Sequence, residues 1–131
     1  MQNETQAHES ESMLHGQTLQ MSREMQECIE NCMASHKSCE QLIIHCLMKG
    51  GAHADANHIR TLMDCSQICR VSADFMLRDS QLYHQVAEVC ALACQACADD
   101  CRQMSDDNAM MACADICDRS AATCRAMREH H

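Results

Sequence analysis

Thirteen cysteines and twelve methionines stand in this 131-residue chain against one tyrosine, one phenylalanine and no tryptophan. Sulfur at this density packs, cross-links or binds soft metal, and its spacing indicates which. Cys28, Cys32, Cys39 and Cys46 step by four, seven and seven, with Ser35 and Leu42 filling the gaps. Cys65 and Cys69 follow His58, which stands seven residues before Cys65. Cys90, Cys94, Cys97 and Cys101 step by four, three and four, and Met104 extends the series by three. Cys113, Cys117 and Cys124 have Met110 ahead and Met127 behind. Residues three, four and seven apart share one face of a helix, so every cysteine falls on a single stripe of its segment.

Packing alone is a poor reason for such stripes, because a thiol buries little area beside Leu or Ile. Disulfides fit no better. Side chains at i and i+4 of a helix have Cβ atoms about 5–6 Å apart, whereas a disulfide prefers about 3.8 Å. Disulfide scaffolds are loop-rich, and this chain has three glycines, no proline and an odd cysteine count. Metal remains. Only Cys94 and Cys97 form a Cys-x-x-Cys pair, inside a helical segment, unlike the turn-borne pairs of zinc fingers and cubane ferredoxins. Filling the thiolates with zinc would make about three closed sites with an excess of about six buried negative charges, which is costly in a dry core. Each Cu(I) cancels one thiolate, so a ratio near one metal per thiol keeps the core close to neutral, and soft Cu(I) suits thiolate and thioether ligands. The same charge balance admits Ag(I). Protonated thiols are neutral and mildly apolar, so the core can form before metal arrives, and loading then releases protons.

These stripes need four helices to carry them. Caps and glycines divide the chain into segments over about Gln17 to Met48, stopped by Gly50 and Gly51; from Asp55 or Asn57 to Leu77; from a cap at Asp79 or Ser80 to near Met104; and from the polar turn Ser105–Asn108 to about Arg128. Short connections make neighbours antiparallel. The expected fold is all-α, an antiparallel up-down-up-down four-helix bundle with a Cys-lined core. It occupies 17–128, after a polar tail over 1–16 expected to be disordered and before a short C-terminal tail over 129–131. The formal net charge of −9 argues against nucleic acid and against an anionic membrane surface as partners. No apolar run is long enough to cross a bilayer, and the first twenty residues do not read as a secretory signal. The expected location is cytoplasmic, with the mature form of an exported protein as the alternative.

With antiparallel helices, His58, Met48, Met104, Met110 and Met111 gather at one end of the bundle. Imidazole and thioether there suit an entry for copper, carried by His58, Met104 and Met110. Met21, Met25, Met76 and Met127 gather at the other end, where they read as packing. His36 and His45 flank the first stripe and could reach a cluster, but solvent-facing is the expected reading; His8, His15, His130 and His131 lie in the tails. Ile29, Met33, Ile43, Ile44 and Leu47 sit beside the first stripe and read as helix contacts or an oligomer surface.

From Cys28 to Arg128 the sequence resembles the bacterial four-helix-bundle copper storage proteins. The resemblance is carried by Cys65-Ser-Gln-Ile-Cys69, by Cys90-Ala-Leu-Ala-Cys94-Gln-Ala-Cys97-Ala-Asp-Asp-Cys101, and by Cys113-Ala-Asp-Ile-Cys117 with Cys124. It implies a homotetramer of bundles, each holding multiple Cu(I) ions per chain by thiolates, for storage or buffering and not for catalysis. It also implies exchange of copper ions with a copper donor or acceptor protein. His58 departs from Cys-rich relatives, where that position can be cysteine. The alternatives are a general zinc or silver detoxification sink, an iron–sulfur electron carrier, which the all-helical placement disfavours, and a thiol redox enzyme, for which no cysteine is singled out by a neighbouring base.

Overall fold

Ser22 opens the first helix, accepting the Met25 N–H on its side chain at 3.1 Å. The computed structural model describes residues 21–129, and helix α1 spans Arg23–Lys49. The expected start at Gln17 lies outside the described residues, and Ser22, an N-cap in extended conformation, sets the beginning at Arg23 instead. Gly50 ends α1 with φ of 73°, a backbone angle that favours glycine, and its N–H bonds the Cys46 carbonyl at 3.0 Å. A 3₁₀ turn, Gly51–Ala54, follows. Asp55 then caps α2, Ala56–Leu77, by accepting the Asn57 N–H at 3.0 Å.

The end of α2 corrects the expectation for Asp79. Asp79 has φ of 52°, its N–H bonds Met76 O at 3.1 Å, and the Ser80 N–H bonds Phe75 O at 2.9 Å. This is the Schellman pattern, so Asp79 closes α2 and does not cap the next helix. Ser80 acts one turn before α3, its hydroxyl accepting the Leu82 N–H at 3.1 Å. Helix α3, Tyr83–Cys101, also stops three residues short of Met104, which lies in the following turn with its N–H on Cys101 O at 3.1 Å. The early stop frees the chain to reach Asp107. Its Oδ1 accepts the N–H groups of Ala109 at 2.9 Å and Met110 at 3.3 Å and so caps α4, Asn108–Arg128. The proposed tail residues 1–16, His130 and His131 lie outside the described residues.

Neighbouring helices run antiparallel, as their cross-contacts show. Along α1 and α4, Cys28 meets Cys124, Ser35 meets Ser120, and Cys46 meets Met110. Between α1 and α2, His36 meets Ser66 and Cys46 meets His58. Between α2 and α3, Cys69 meets Cys90 and His58 meets Asp100. Between α3 and α4, Gln95 meets Arg125 and Arg102 meets Asp118. Sulfur contacts also cross the axis, Cys32 to Cys90 and Cys65 to Cys117. The fold is the antiparallel four-helix bundle, without strands among the described residues. No helix there is long and apolar enough to cross a membrane.

Each helix turns its sulfur stripe inward. Buried beside the thiols are Leu42, Leu62, Ala73, Ala87, Ala91, Ala98, Ala114 and Ala121. The alanines occupy flanking positions, where small side chains let the helices approach, and large aliphatics are few. Buried hydroxyls knit the interfaces: Ser35 and Ser120 are 2.6 Å apart, and Ser120 donates to the Asn31 carbonyl at 2.7 Å. Ser66 donates to Glu40 at 2.5 Å.

Leu62 is fully buried among thiols that pack weakly, so Leu62→Ala is expected to cost about 2–5 kcal/mol, read as a lower urea midpoint with unchanged slope. Asp107→Ala removes the α4 cap and is expected to cost about 1 kcal/mol, most of it restored in Asp107→Asn, which keeps the capping oxygen.

Candidate metal centre

All thirteen cysteines are buried and unpaired by disulfide. Eleven of the sulfurs form a connected path along the bundle axis. Starting from the Met-packed end, Cys28 lies 3.7 Å from Cys124, which lies 3.5 Å from Cys32. Cys32 passes to Cys90 at 3.9 Å, and Cys90 to Cys69 at 3.7 Å. Cys69 meets Cys94 at 3.3 Å, and Cys94 meets Cys65 at 3.8 Å. Cys65 reaches Cys117 at 3.8 Å. Cys117 then touches Cys39 at 3.9 Å, Cys97 at 3.8 Å and Cys113 at 4.0 Å. The path bends towards α2 and α3 midway, because Ser35 and Ser120 replace thiols on the α1–α4 side.

Within this path four groups bring ligand atoms within 4.8 Å of one another: Cys39, Cys97, Cys113 and Cys117; Cys28, Cys32 and Cys124; Cys32, Cys69 and Cys90; and Cys65, Cys69 and Cys94. Cys32 and Cys69 each belong to two groups. Shared sulfurs suit bridged, low-coordinate metal better than separate closed sites. The i,i+4 pairs contribute as their spacing suggests, with Cys65–Cys69 at 4.0 Å, Cys90–Cys94 at 3.9 Å and Cys113–Cys117 at 4.0 Å. Most of the contacts nevertheless join different helices, which no single-helix spacing can reveal.

Cys46 stands at the far end with non-thiol company. Its sulfur is 3.3 Å from His58 Nε2 and 3.7 Å from Met110 Sδ. His58 is only 3 % exposed, and its Nδ1 is held by the Asp100 carboxylate. That second partner fixes the ring so that Nε2 faces the sulfur. Met110 is fully buried, Met104 and Met111 pack partly buried against the core, and Met48 is exposed. At the opposite end Met25, Met76 and Met127 are buried and Met21 packs on them.

Two histidines depart from expectation. His36 does not face solvent freely: its Nδ1 lies 2.9 Å from the Ser66 carbonyl, tying α1 to α2. His45 Nε2 lies 2.9 Å from Asp107 Oδ2, as does His53 Nε2. Neither His53 nor Asp100 was singled out by the sequence. His53 lies off any helical stripe, and Asp100 is one of two adjacent aspartates, of which only the fold shows which turns towards His58.

The thiols cannot all ionise together. Hydrogen bonds with neighbouring thiols, Cys117 first and then Cys39 and Cys69, hold Cys65 well below the usual thiol range. Cys113 is lowered likewise, by Cys101 first. Their neighbours move the other way: Cys39 is pushed up, by Cys113 and Cys117 first, and Cys69 by Cys32 and Cys65. Burial pushes Cys46 up to about 11, with the Asp107 charge adding to it. Nine of the thirteen thiols are raised and stay protonated at pH 7, ready to exchange protons for cations.

A family model described as copper storage protein matches residues 21–129. The uncharacterized cysteine-rich protein YhjQ of Bacillus subtilis (strain 168) is 31% identical over 107 residues, covering 82% of this chain and 98% of that protein. The crystal structure of the Nmul_A1745 protein from Nitrosospira multiformis is similar at a TM-score of 0.80 and 37% identity, covering 85% of this chain and 100% of that one. A Cu(I)-bound copper storage protein, BsCsp3, is similar at a TM-score of 0.75 and 30% identity, over 81% of this chain and 99% of its own. With its thiol-lined four-helix bundle and the family match over residues 21–129, the chain belongs to the copper storage protein family.

Proposed function

We propose that this protein stores Cu(I), holding multiple ions per chain on the thiolates of its bundle core, and that it is not an enzyme. The observation that carries this reading is the unbroken, solvent-excluded path of sulfurs from Cys28 to Cys113. Such a path offers many soft sites, no open coordination position facing solvent, and no distinguished nucleophile. Cys28, Cys32, Cys39, Cys46, Cys65, Cys69, Cys90, Cys94, Cys97, Cys101, Cys113, Cys117 and Cys124 are the ligands. The Cu(I)-bound state of BsCsp3 supports the choice of metal.

His58, Met104 and Met110 form the entry. Cys46 is the first thiol behind them, and the imidazole and thioether beside it can pass a soft cation inward without a stranded charge. The free thiols fit a reducing cytoplasm. Assembly into a homotetramer is supported by apolar surface left uncovered on one chain: Val71, Val89 and Leu92 on α2 and α3, and Ile44 and Leu47 on α1. Copper would be exchanged with a donor or acceptor protein.

One group favours a second reading. Four sulfurs on a tetrahedral zinc with bonds of about 2.3 Å lie about 3.8 Å apart, close to the 3.8–4.0 Å contacts among Cys39, Cys97, Cys113 and Cys117. The shared trios elsewhere do not offer this closure, so zinc would be confined to this quartet.

Anaerobic titration of the reduced protein against a Cu(I) chelator is expected to saturate on the order of ten Cu(I) per chain; saturation at one or two would reject storage. The thiolate core is expected to hold at most about one zinc per chain, in that quartet, and to give it up to Cu(I). Because thiols such as Cys46 have pKa values raised above neutrality, they bind protons throughout the neutral range and must release them on loading. Apparent Cu(I) affinity is therefore expected to rise with pH, up to about tenfold per pH unit for each proton displaced. His58→Ala is expected to slow uptake several-fold while leaving near-full capacity; unchanged stopped-flow loading would remove His58 from the entry.

A further inference from the structure

His45, His53 and Asp107 converge where α1 ends and α4 begins. They come from three separate stretches of chain: the last turns of α1, the 3₁₀ turn, and the cap of α4. His45 Nε2 and His53 Nε2 each lie 2.9 Å from Asp107 Oδ2, and the three ligand atoms all lie within 4.8 Å of one another. The other carboxylate oxygen is occupied by the Ala109 and Met110 N–H groups. That bond fixes the carboxylate so that Oδ2 faces both imidazoles. The Asp107 side chain is 9% exposed, against 34% for His45 and 20% for His53. A cleft of about 300 Å³, lined by His53, Met104 and Asp107 among others, opens beside the group.

We propose that His45, His53 and Asp107 form a binding site for a divalent cation of the zinc class, separate from the thiolate core. Two neutral imidazoles and one carboxylate are borderline-to-hard donors carrying one negative charge. They match a divalent ion and not the soft monovalent ion that the sulfurs select. Bonds of about 2.0–2.2 Å would set the ligand atoms of a tetrahedral ion about 3.3 Å apart. The present 2.9 Å separations need to open by only a few tenths of an ångström. Water from the cleft can fill the remaining position. Lys49 Nζ lies 3.9 Å from the same oxygen, but its side chain is 52% exposed and its flexible stem lets the ammonium turn to solvent. The two metal classes are thereby sorted at one end of the bundle: Cys46, next in sequence to His45, points inward to His58 and Met110, while His45 points to Asp107.

The test begins with the full, reduced chain, its thiols filled with redox-inert Ag(I) under anaerobic conditions; the Ag(I) count reports separately on the thiolate core. Zn(II) is then titrated against a chromophoric chelator, and Co(II) is added to a parallel sample as a spectroscopic probe. The site predicts one Zn(II) per chain, and Co(II) bands in the visible without sulfur charge transfer in the near ultraviolet. His53→Ala and Asp107→Asn are each expected to weaken Zn(II) at least about tenfold with unchanged Ag(I) capacity, the asparagine keeping the α4 cap. No Zn(II) uptake by the Ag(I)-filled chain, uptake undiminished in both variants, or a sulfur charge-transfer band with Co(II) would each overturn the proposal.

Discussion

Thirteen ionisable thiols sit in a space with almost no access to water, and the rest of the molecule follows from keeping that space neutral. A buried unpaired thiolate is costly, so without metal most of these groups remain protonated and behave as small apolar side chains. Most of the thiols contact others, and a proton lost from one is compensated by hydrogen bonds from its neighbours, as at Cys65 among Cys117, Cys39 and Cys69. The core is thus a shared reservoir of exchangeable protons. A monovalent soft cation replaces them one for one, and a divalent cation does so only where four sulfurs close around it.

The scaffold is built to tolerate this core. Thiols bury little apolar area, so stability must come from elsewhere. It comes from tight helix approach over alanines, from Leu42 and Leu62, from methionines that plug the ends, and from side-chain hydroxyls that join α1 to α2 and α4. The helix ends are capped in turn by Ser22, Asp55 and Asp107. Asp107 serves twice, since the carboxylate that caps α4 also holds two histidines beside the mouth.

Much of this was legible in the sequence because helical periodicity is a one-dimensional signal. Steps of three, four and seven placed each cysteine on an inward stripe, and glycine and aspartate marked the breaks. Stripes cannot say how four helices register, so the path from Cys32 through Cys90 and Cys69 to Cys65, and the sharing of sulfurs between groups, emerged only from the fold. Asp79 misled because aspartate serves equally as an N-cap and as a left-handed helix terminator, and only the bond from Ser80 to Phe75 distinguishes them. Met104 misled because the sulfur spacing continues past the point where the helix stops. His45 and His53 were invisible as a pair, for one lies off the stripe and the other in a connection whose path depends on where Asp107 comes to rest.

The central claim is that charge neutrality governs what the core accepts. Counting the protons released during anaerobic Cu(I) loading to saturation tests it most directly. The account predicts a cumulative value at or somewhat below one proton per Cu(I) bound, because the protonated thiols exchange one for one and those held low, such as Cys65 and Cys113, contribute little. A value that stays near two to the end of loading, with saturation at about half the thiol count, would show a core that tolerates uncompensated thiolate charge and would contradict it.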